Sequence, residues 1–447
     1  MERELTSGYF QLTIPLNRNQ RNDLILYAVD EYDRISDSTF QTIIHDNIPP
    51  KIDSTSLPPD GRSYRINTPI IVNFDSPVTH KYSRIVRDGI GGSVSTIMSS
   101  DFRSIEFVYP FFSVGDYFPL NFTVTDSALN MTDTTITINT YFERLSFPDG
   151  ISKPLLDSNQ RYLYVQEQNT KTLYKYDLLT LEFEQSFQLS LSGELAWNPQ
   201  NKRIYIYNYN ESKILVFDTE LGIEIREFSL LETDTPDRSA DDPLSLAFTL
   251  NGTGIATAKP IGSSGPFSVQ VIVGSDEDSL YIHPKFAPET HDNFFARPFN
   301  YDKNLFLSGD NSPVEVYDYV TDTFTTYSAP TGVWHAAIGN RKADRFMIYG
   351  NTGVTLMSSQ GTILANMQLR TRHFDFSYRP NEDNSAYYLD VFLHEIGVIN
   401  FDESIKTDQT ATQINPKSLM VTLDGRFIIL SRYNEVLLVE PKTFRAN

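Results

Sequence analysis

Three of the seven histidines in this sequence stand at comparable places in a repeating pattern, each beside a polar or aromatic residue. Together with nearby groups they form one candidate set: Glu194, His291, Asp292, Trp334, His335, Arg372 and His373. Three imidazoles and a carboxylate could hold a metal ion, or could act as a general base and the group that orients it. The same residues could instead line a ligand-binding surface, or form a satisfied polar ring around a wet channel.

A sequence pattern that repeats seven times predicts the strands and loops that would position these residues. Each copy has an apolar pair, a polar turn, an apolar or aromatic strand, a second turn and a further strand. The first apolar residues after the turns are Leu163, Ile204, Ile255, Leu305, Phe346, Tyr387 and Phe427, at steps of 40 to 51 residues. A period of about 40–45 residues is typical of a β-propeller blade. In a propeller the loops that enter the inner strands gather at the channel mouth, and the candidate residues fall in those loops.

The strands of the repeats resemble a known propeller family. YLYVQ from Tyr162 is followed by LYKYD from Leu173, and IYIYN from Ile204 is followed by ILVFD from Ile214. These strings are similar to the "Y-V-x-N…V-x-V-I-D" repeats of YVTN-type propellers, which are common in surface proteins. The resemblance implies seven blades over residues 143–447, with six or eight as the alternative. Because the last repeat lacks an outer strand, we expect residues 142–147 to pair with the last blade and close the ring.

Two similar segments precede the repeats. LILYAVDEYD from Leu24 and LNFTVTDSALN from Leu120 are each an alternating strand and an Asp-containing turn, and a second alternating strand follows each. They resemble the closing hairpin of bacterial immunoglobulin-like domains, and PPKIDSTSLPPDG from Pro49 resembles the opening of such a domain. The resemblance implies a β-sandwich over residues 48–142 and only the last strands of another over 1–47. The alternative is that 1–47 form an extra hairpin packed on the next module.

The amino-acid composition limits the classes of binding partner and the cellular compartment that we expect. The formal net charge is −20 and there is no cysteine. Nucleic acid and anionic membranes require patches of Lys and Arg, so we expect neither as a partner. No apolar run reaches about 18 residues, so we expect no membrane insertion, and Met1-Glu-Arg-Glu does not resemble a signal peptide. We expect part of a longer exported bacterial protein, extracellular or at the cell surface, whose signal or anchor is not in this chain.

These patterns together predict an all-β chain: one or more immunoglobulin-like sandwich modules, then a seven-bladed propeller. Tandem modules that carry a disc-shaped head are typical of adhesins. We therefore expect a non-enzymatic surface binding or scaffold protein whose propeller recognises a glycan or a protein. We expect no cofactor, although acidic turns could bind calcium. One alternative is a lactonase-like propeller hydrolase or lyase with the histidines at the channel mouth. Another is a structural subunit of a surface assembly.

Overall fold

The fold is built from β-strands. The computed structural model describes residues 13–66, 68–87, 90–109, 113–208, 210–211, 213–229, 246–248, 252–258, 268–273, 279–282, 297–300, 305–309, 314–318, 321, 323–327, 334–339, 345–350, 353–367, 374–379, 385–391, 393–400, 406–412, 415–422 and 424–441. All regular elements assigned there are strands, so the all-β prediction is confirmed for this part of the chain. Among the same residues, no helix has the length and apolarity needed to cross a membrane.

The chain divides into two compact units, which are described separately. The first contains Met1–Gly61, Asn67–Phe111 and Tyr117–Ile138. The second contains Arg62–Ile66, Phe112–Asp116 and Asn139–Asn447.

In the described residues of the first unit, ten strands form the sheets. They are β1 Gln20–Leu26, β2 Thr39–His45, β3 Ile52–Thr55, β4 Ile70–Phe74, β5 Thr79–Arg87, β6 Ile90–Ser93, β7 Ser95–Met98, β8 Ser104–Val108, β9 Tyr117–Thr125 and β10 Met131–Asn139. β1 and β2 form a two-stranded antiparallel sheet. The others form two four-stranded sheets with the orders β3-β4-β8-β7 and β10-β9-β5-β6.

The two four-stranded sheets pack face to face through aromatic side chains. The ring of Phe122 in β9 lies 5.0 Å from the ring of Phe107 in β8 and 6.3 Å from that of Phe74 in β4, measured between centroids. Along β9 the buried residues Leu120, Phe122 and Val124 alternate with partly exposed ones. This alternation is expected of a strand that has one face on a core and the other towards water.

The turn of the β1–β2 hairpin and the turn of the β9–β10 hairpin have the same pattern of hydrogen bonds. Asp30 accepts hydrogen bonds from the backbone N–H groups two and four residues later, at 2.9 and 3.0 Å. Asp126 accepts the equivalent bonds at 2.8 and 2.9 Å. The residue three positions after each aspartate, Asp33 or Leu129, has a positive φ of 58° or 66°. The same local hydrogen bonding thus reverses the chain at both places.

The two hairpins differ in what covers them. Phe122, four residues before Asp126, is buried in the core, whereas Leu26, four residues before Asp30, is exposed. Phe40 in β2 is 73% exposed, and Ile25 and Ile44 are also exposed. The β1–β2 sheet therefore presents apolar side chains to solvent.

The second unit contains the remaining strands. They are β11 Glu143–Ser146, β12 Leu155–Leu156, β13 Tyr162–Glu167, β14 Thr172–Asp177, β15 Glu182–Gln188, β16 Glu194–Asn198, β17 Arg203–Asn208, β18 Lys213–Asp218, β19 Ile223–Ser229, β20 Leu246–Phe248, β21 Thr253–Ala258, β22 Ser268–Val273, β23 Ser279–Ile282, β24 Arg297–Asn300, β25 Leu305–Gly309, β26 Val314–Asp318, β27 Thr323–Tyr327, β28 Trp334–Gly339, β29 Arg345–Gly350, β30 Gly353–Ser358, β31 Ile363–Met367, β32 Phe374–Tyr378, β33 Ser385–Asp390, β34 Glu395–Asn400, β35 Lys406–Ala411, β36 Ser418–Val421, β37 Ile428–Arg432 and β38 Glu435–Val439.

In the described residues these strands form seven four-stranded antiparallel sheets. In six of them, four consecutive strands pair in chain order; the first of these sheets is β12-β13-β14-β15 and the last is β32-β33-β34-β35. The seventh sheet has the order β11-β38-β37-β36. The first strand of each sheet contacts the first strand of the next, from β12 through to β36. Successive sheets are therefore neighbours in space as well as in sequence.

A strand from the start of this unit completes its last sheet. β11 pairs with β38, with Glu143 opposite Leu438. The first and last sheets also share a core, in which Leu163 packs in one cluster with Phe427 and Ile429. The series of sheets is therefore closed, and the edge of β38 is covered by chain that precedes the first sheet.

Aspartates at the ends of third strands hold the hairpin turns that follow. Asp177, which ends β14, accepts a hydrogen bond from the N–H of Leu179 at 2.7 Å and binds Nη2 of Arg161 at 2.8 Å. Asp218, which ends β18, accepts bonds from the N–H groups two and three residues later, and its carboxylate lies 3.6 Å from Nε of Arg203. The aspartates that recur in the repeats thus stabilise turns.

We predict that Leu163→Ala destabilises the second unit by about 2–5 kcal/mol, because it opens a cavity in the core that the first and last sheets share. Leu163 is 0% exposed. The measurement is urea unfolding followed by circular dichroism. Leu179→Ala is the matched control, since Leu179 is 62% exposed, and should change stability by no more than about 0.5 kcal/mol. Equal effects of the two substitutions would contradict a shared core.

Candidate functional site

Two of the predicted residues, Glu194 and Trp334, and two lysines lie where the chain enters the first strand of a sheet. Lys153 lies just before β12, Glu194 begins β16, Trp334 begins β28 and Lys417 immediately precedes β36. We call this set of positions, together with the turns that contact them, the rim.

Of the seven predicted residues, the structure describes one side chain and two backbone positions. Glu194 is exposed at the start of β16. Trp334 and His335 begin β28, and a β-bulge falls at His335 because the pairing with β29 shifts between Trp334 and Ala336. The remaining four lie outside the described residues: His291, Asp292, Arg372 and His373. The predicted grouping of the histidines therefore stays a prediction.

A buried glutamine that the sequence analysis did not select fixes the chain next to Glu194. Nε2 of Gln166 donates to the carbonyl oxygen of Leu191 at 2.8 Å, and the N–H of Gly193 donates to Oε1 of Gln166 at 2.9 Å. A Cβ at Gly193 would lie 1.9 Å from the backbone oxygen of Tyr207, so only glycine fits there. Glu194 is therefore presented from a rigid segment. In the sequence, Gln166 is the first polar residue after the apolar run YLYV, and the polar residues EQN follow it.

The second strands of three sheets end in a polar residue that holds the next turn. Glu167, Asn208 and Asp390 each accept a hydrogen bond from a group three residues later, at 2.7, 2.9 and 2.9 Å. Two of them also bind the segment that leads into their own sheet. The N–H of Asp149 donates to Glu167 at 3.0 Å, and Asn208 donates to the carbonyl oxygen of Ser192 at 2.6 Å. These side chains thus order the rim.

Glu167 is held in its ionised form. Burial by itself raises the pKa of this carboxyl group, but hydrogen bonds from Thr170, from the N–H of Asp149 and from the Tyr174 hydroxyl together lower its pKa below the ordinary value of 4.5. An ionised carboxylate that already accepts three hydrogen bonds is a structural acceptor and not a proton donor.

Tyr433 gives the rim an exposed aromatic face. It lies in the turn between β37 and β38 and is 56% exposed. Its ring lies against Gly150, where a Cβ would come within 2.6 Å of ring atoms, and its carbonyl oxygen accepts the N–H of Ile151 at 2.6 Å. Nζ of Lys417 lies 5.8 Å from the ring centroid. The rim therefore holds a fixed aromatic ring with a cation beside it.

One histidine outside the predicted set also lies near the start of a first strand. His394, in the turn before β34, contacts Oδ1 of Asn415 through Nδ1, and its carbonyl oxygen accepts the N–H of Thr412 at 2.6 Å. In the described part of the chain, no group of three or more His, Cys, Asp or Glu side chains is placed to hold a metal ion.

Comparison with solved structures gives the fold of this repeated region. The chain is similar to the β-propeller domain of Cps50 (Swd1) from Myceliophteria thermophila, with a TM-score of 0.52 and 8% identity over 67% of this chain and 98% of that one. It is also similar to virginiamycin B lyase from Staphylococcus aureus, with a TM-score of 0.50 and 11% identity over 66% and 98%. The chain contains a β-propeller. At this level of identity the likeness shows the fold alone.

The propeller prediction is thus confirmed at the level of the fold. No known protein family matches the sequence, and no curated protein matches it.

We predict that Gln166→Glu destabilises the propeller by about 3 kcal/mol at pH 7, because a buried carboxylate would face the Leu191 carbonyl oxygen without a proton to donate. The pKa of the introduced carboxyl should be raised above about 4.3 in the folded state, so the penalty should shrink as pH falls towards that value. Urea unfolding at pH 7 and pH 4.5 measures both effects. Gln185→Glu, at an exposed position, should show neither. A pH-independent loss in Gln166→Glu would contradict the assigned hydrogen bonds.

We predict that Glu167→Gln removes part of the acid dependence of propeller stability. A carboxyl whose pKa is lowered on folding stabilises the folded state above its unfolded pKa, and this contribution disappears as pH falls through the folded pKa. The variant should therefore be less stable than the original chain at pH 7, with a gap that narrows below about pH 4.5. Thermal melts across this range measure the gap. Glu182→Gln, at an exposed site, should follow the original chain throughout.

Proposed function

We propose that this chain is a non-enzymatic binding or scaffold protein that works outside the cell or at the cell surface. In this proposal a seven-bladed, YVTN-type propeller over residues 143–447 recognises a glycan or a protein partner through its rim. Immunoglobulin-like modules over residues 1–47 and 48–142 act as spacers. The protein does not bind nucleic acid or insert into a membrane, and it needs no cofactor, with calcium as the only ion its acidic turns would take.

The rim is the observation that carries this proposal. Gln166 and Asn208 bind the backbone that leads to Glu194, and Tyr433 rests on Gly150. These contacts hold exposed groups on a rigid support before any ligand arrives, and preorganised surfaces lose less conformational entropy on binding. A fixed tyrosine with a lysine beside it suits recognition of planar or hydroxyl-rich groups.

The sheet count in the described residues supports seven blades. Each four-stranded sheet has the size expected of one blade, and the strands at the two ends of the unit meet in a single sheet. Pairing of a strand from the start of the unit with the last sheet closes the ring through hydrogen bonds as well as packing.

The shared hairpin turn supports the immunoglobulin-like modules. Residues 48–142 contain two packed four-stranded sheets, as such a sandwich requires. The turn at Asp30 repeats the hydrogen bonds of the turn at Asp126. Leu26, which is exposed, stands at the position equivalent to Phe122, which β9 buries against an opposing sheet. This supports the interpretation that residues 1–47 hold the closing strands of a second module.

The acidic charge limits the partner. With a formal net charge of −20, the chain repels polyanions beyond short range, and the rim offers only single cations such as Lys153 and Lys417 in its described part. A neutral glycan, or a protein with a neutral or basic surface, is therefore the partner class that fits.

The proposal predicts that Tyr433→Ala weakens binding to the partner by about tenfold or more while the fold is retained, since an exposed ring contributes to contact and not to the core. The measurement is binding of the full chain to a printed glycan array and to an array of purified extracellular proteins. Tyr32→Ala, at an exposed tyrosine of the first unit, is the control and should bind as the original chain does.

Elemental analysis distinguishes the enzymatic alternative. Stoichiometric zinc that is lost in His335→Ala, together with turnover of a lactone or a similar substrate, would contradict the proposal. Unchanged affinity of Tyr433→Ala for every glycan and every protein that the original chain binds on the two arrays would also contradict it.

A further inference from the structure

The outer face of the sheet β10-β9-β5-β6 carries a groove that the proposed function does not use. Its volume is about 410 Å³, and the side chains that line it include Tyr82, Asn121, Thr123, Asp133 and Thr135. This volume falls within the range typical of small-molecule sites. The residues that line the groove belong to the first unit, whereas the rim is formed by residues of the second.

A β-bulge places the aromatic wall of the groove. His80 pairs with Val124, but Tyr82 pairs with Thr123, so Lys81 is an extra residue in β5. In a regular strand, His80 and Tyr82 would share a face. The bulge instead puts Tyr82 on the outer face, where it is 50% exposed, and leaves His80 on the core side. Bulges are over-represented beside functional sites because they redirect a side chain.

Two hydrogen bonds orient the polar groups of the groove. The hydroxyl of Thr123 donates to Oδ1 of Asp133 at 2.5 Å, and the hydroxyl of Thr135 donates to Oδ1 of Asn121 at 2.6 Å. Within the described residues, the second oxygen of Asp133 and Nδ2 of Asn121 have no protein partner. The groove thus offers an oriented acceptor and an oriented donor next to an aromatic ring.

The charge of the groove selects against ionic ligands. Asp133 is the acidic residue of its lining, and Arg84, which is exposed and pairs with Asn121 across the sheet, brings a positive charge to the same face. The chain as a whole carries a net charge of −20 and disfavours polyanions. A neutral ligand with many hydroxyl groups, each able to donate and accept, matches the acceptor and donor. Its C–H face matches the negative face of a tyrosine ring.

The outer face of this sheet is long enough for an extended ligand. Tyr117 begins β9 on the same side as Asn121 and Thr123 and is exposed. Asn121 lies four positions after Tyr117 in the strand, so the two residues are about 14 Å apart at the usual rise per residue. Aromatic rings therefore stand at two places along one polar face, as an extended ligand would require.

We infer that this groove binds a neutral oligosaccharide, which stacks on Tyr82 and hydrogen-bonds to Asn121 and Asp133. The sandwich is in this case a recognition module in its own right, beside any partner that the propeller rim binds.

The test is native electrophoresis of the full chain in gels that contain a soluble neutral polysaccharide: β-glucan, mannan, xylan or glycol chitin in turn. At least one should retard the protein. Tyr82→Ala and Asn121→Ala should each weaken the apparent affinity by about tenfold, which is the loss of one good contact. Tyr82→Phe should keep most of it. Circular dichroism melts should be unchanged in Tyr82→Ala, because Tyr82 is half exposed.

The controls separate this groove from the rim. Tyr433→Ala and Tyr32→Ala should leave the retardation unchanged. Retardation that is lost in Tyr433→Ala but kept in Tyr82→Ala would place the glycan at the rim and overturn the inference while supporting the proposed function. Absence of retardation by all four polysaccharides, or retardation only by an anionic one such as hyaluronan, would overturn it as well.

Discussion

A series of packed β-sheets is stable when the backbone groups of its end strands are paired and its apolar faces are covered, and the propeller meets this constraint by closing on itself. A β-sheet that ends in an open strand exposes unpaired N–H and C=O groups. Here β11 pairs with β38, and Leu163 packs with Phe427 and Ile429 in a core that belongs to the first and last sheets together. The remaining sheets depend on this junction, because each one is held between two neighbours.

A closed ring gives the rim its rigidity. Two of the segments that lead into first strands are held by a buried amide and a buried carboxylate that bind backbone groups directly. Gln166 does this for the chain before Glu194, and Glu167 does it for the chain before β12. Exposed side chains such as Tyr433 then stand on a fixed support. In the described residues, the buried carboxylates of Glu167, Asp177 and Asp390 hold turns.

One face of the sheet β10-β9-β5-β6 packs in the core of the sandwich, and its other face is available for binding. Phe107 of β8 and Phe122 of β9 meet between the sheets. Asn121 and Thr123, which flank Phe122 in β9, face outward. Since adjacent strand residues point to opposite faces, one strand can serve packing and recognition at once. A single extra residue in β5 is enough to move Tyr82 from the packing side to the recognition side.

The sequence by itself determined the local elements. Alternation with a period of two, aspartates that bind N–H groups two and four residues later, and repeats near 40 residues depend on neighbours along the chain, so they are visible without a structure. They predicted the all-β class and the propeller. The missing outer strand in the last repeat also pointed to residues 142–147 as its partner, because an unpaired edge implies a partner somewhere.

Only the tertiary structure decided which side chains do the positioning. Gln166 appears in the sequence as the first of several polar residues after an apolar run, and its importance comes from a hydrogen bond to a residue 25 positions away. Lys81 shows no sign of being a bulge until β5 is aligned with β9. The histidines were selected because the repeats place them at equivalent positions. Equivalent positions fix the backbone, whereas contact between side chains depends on how separate sheets pack, which no local pattern encodes.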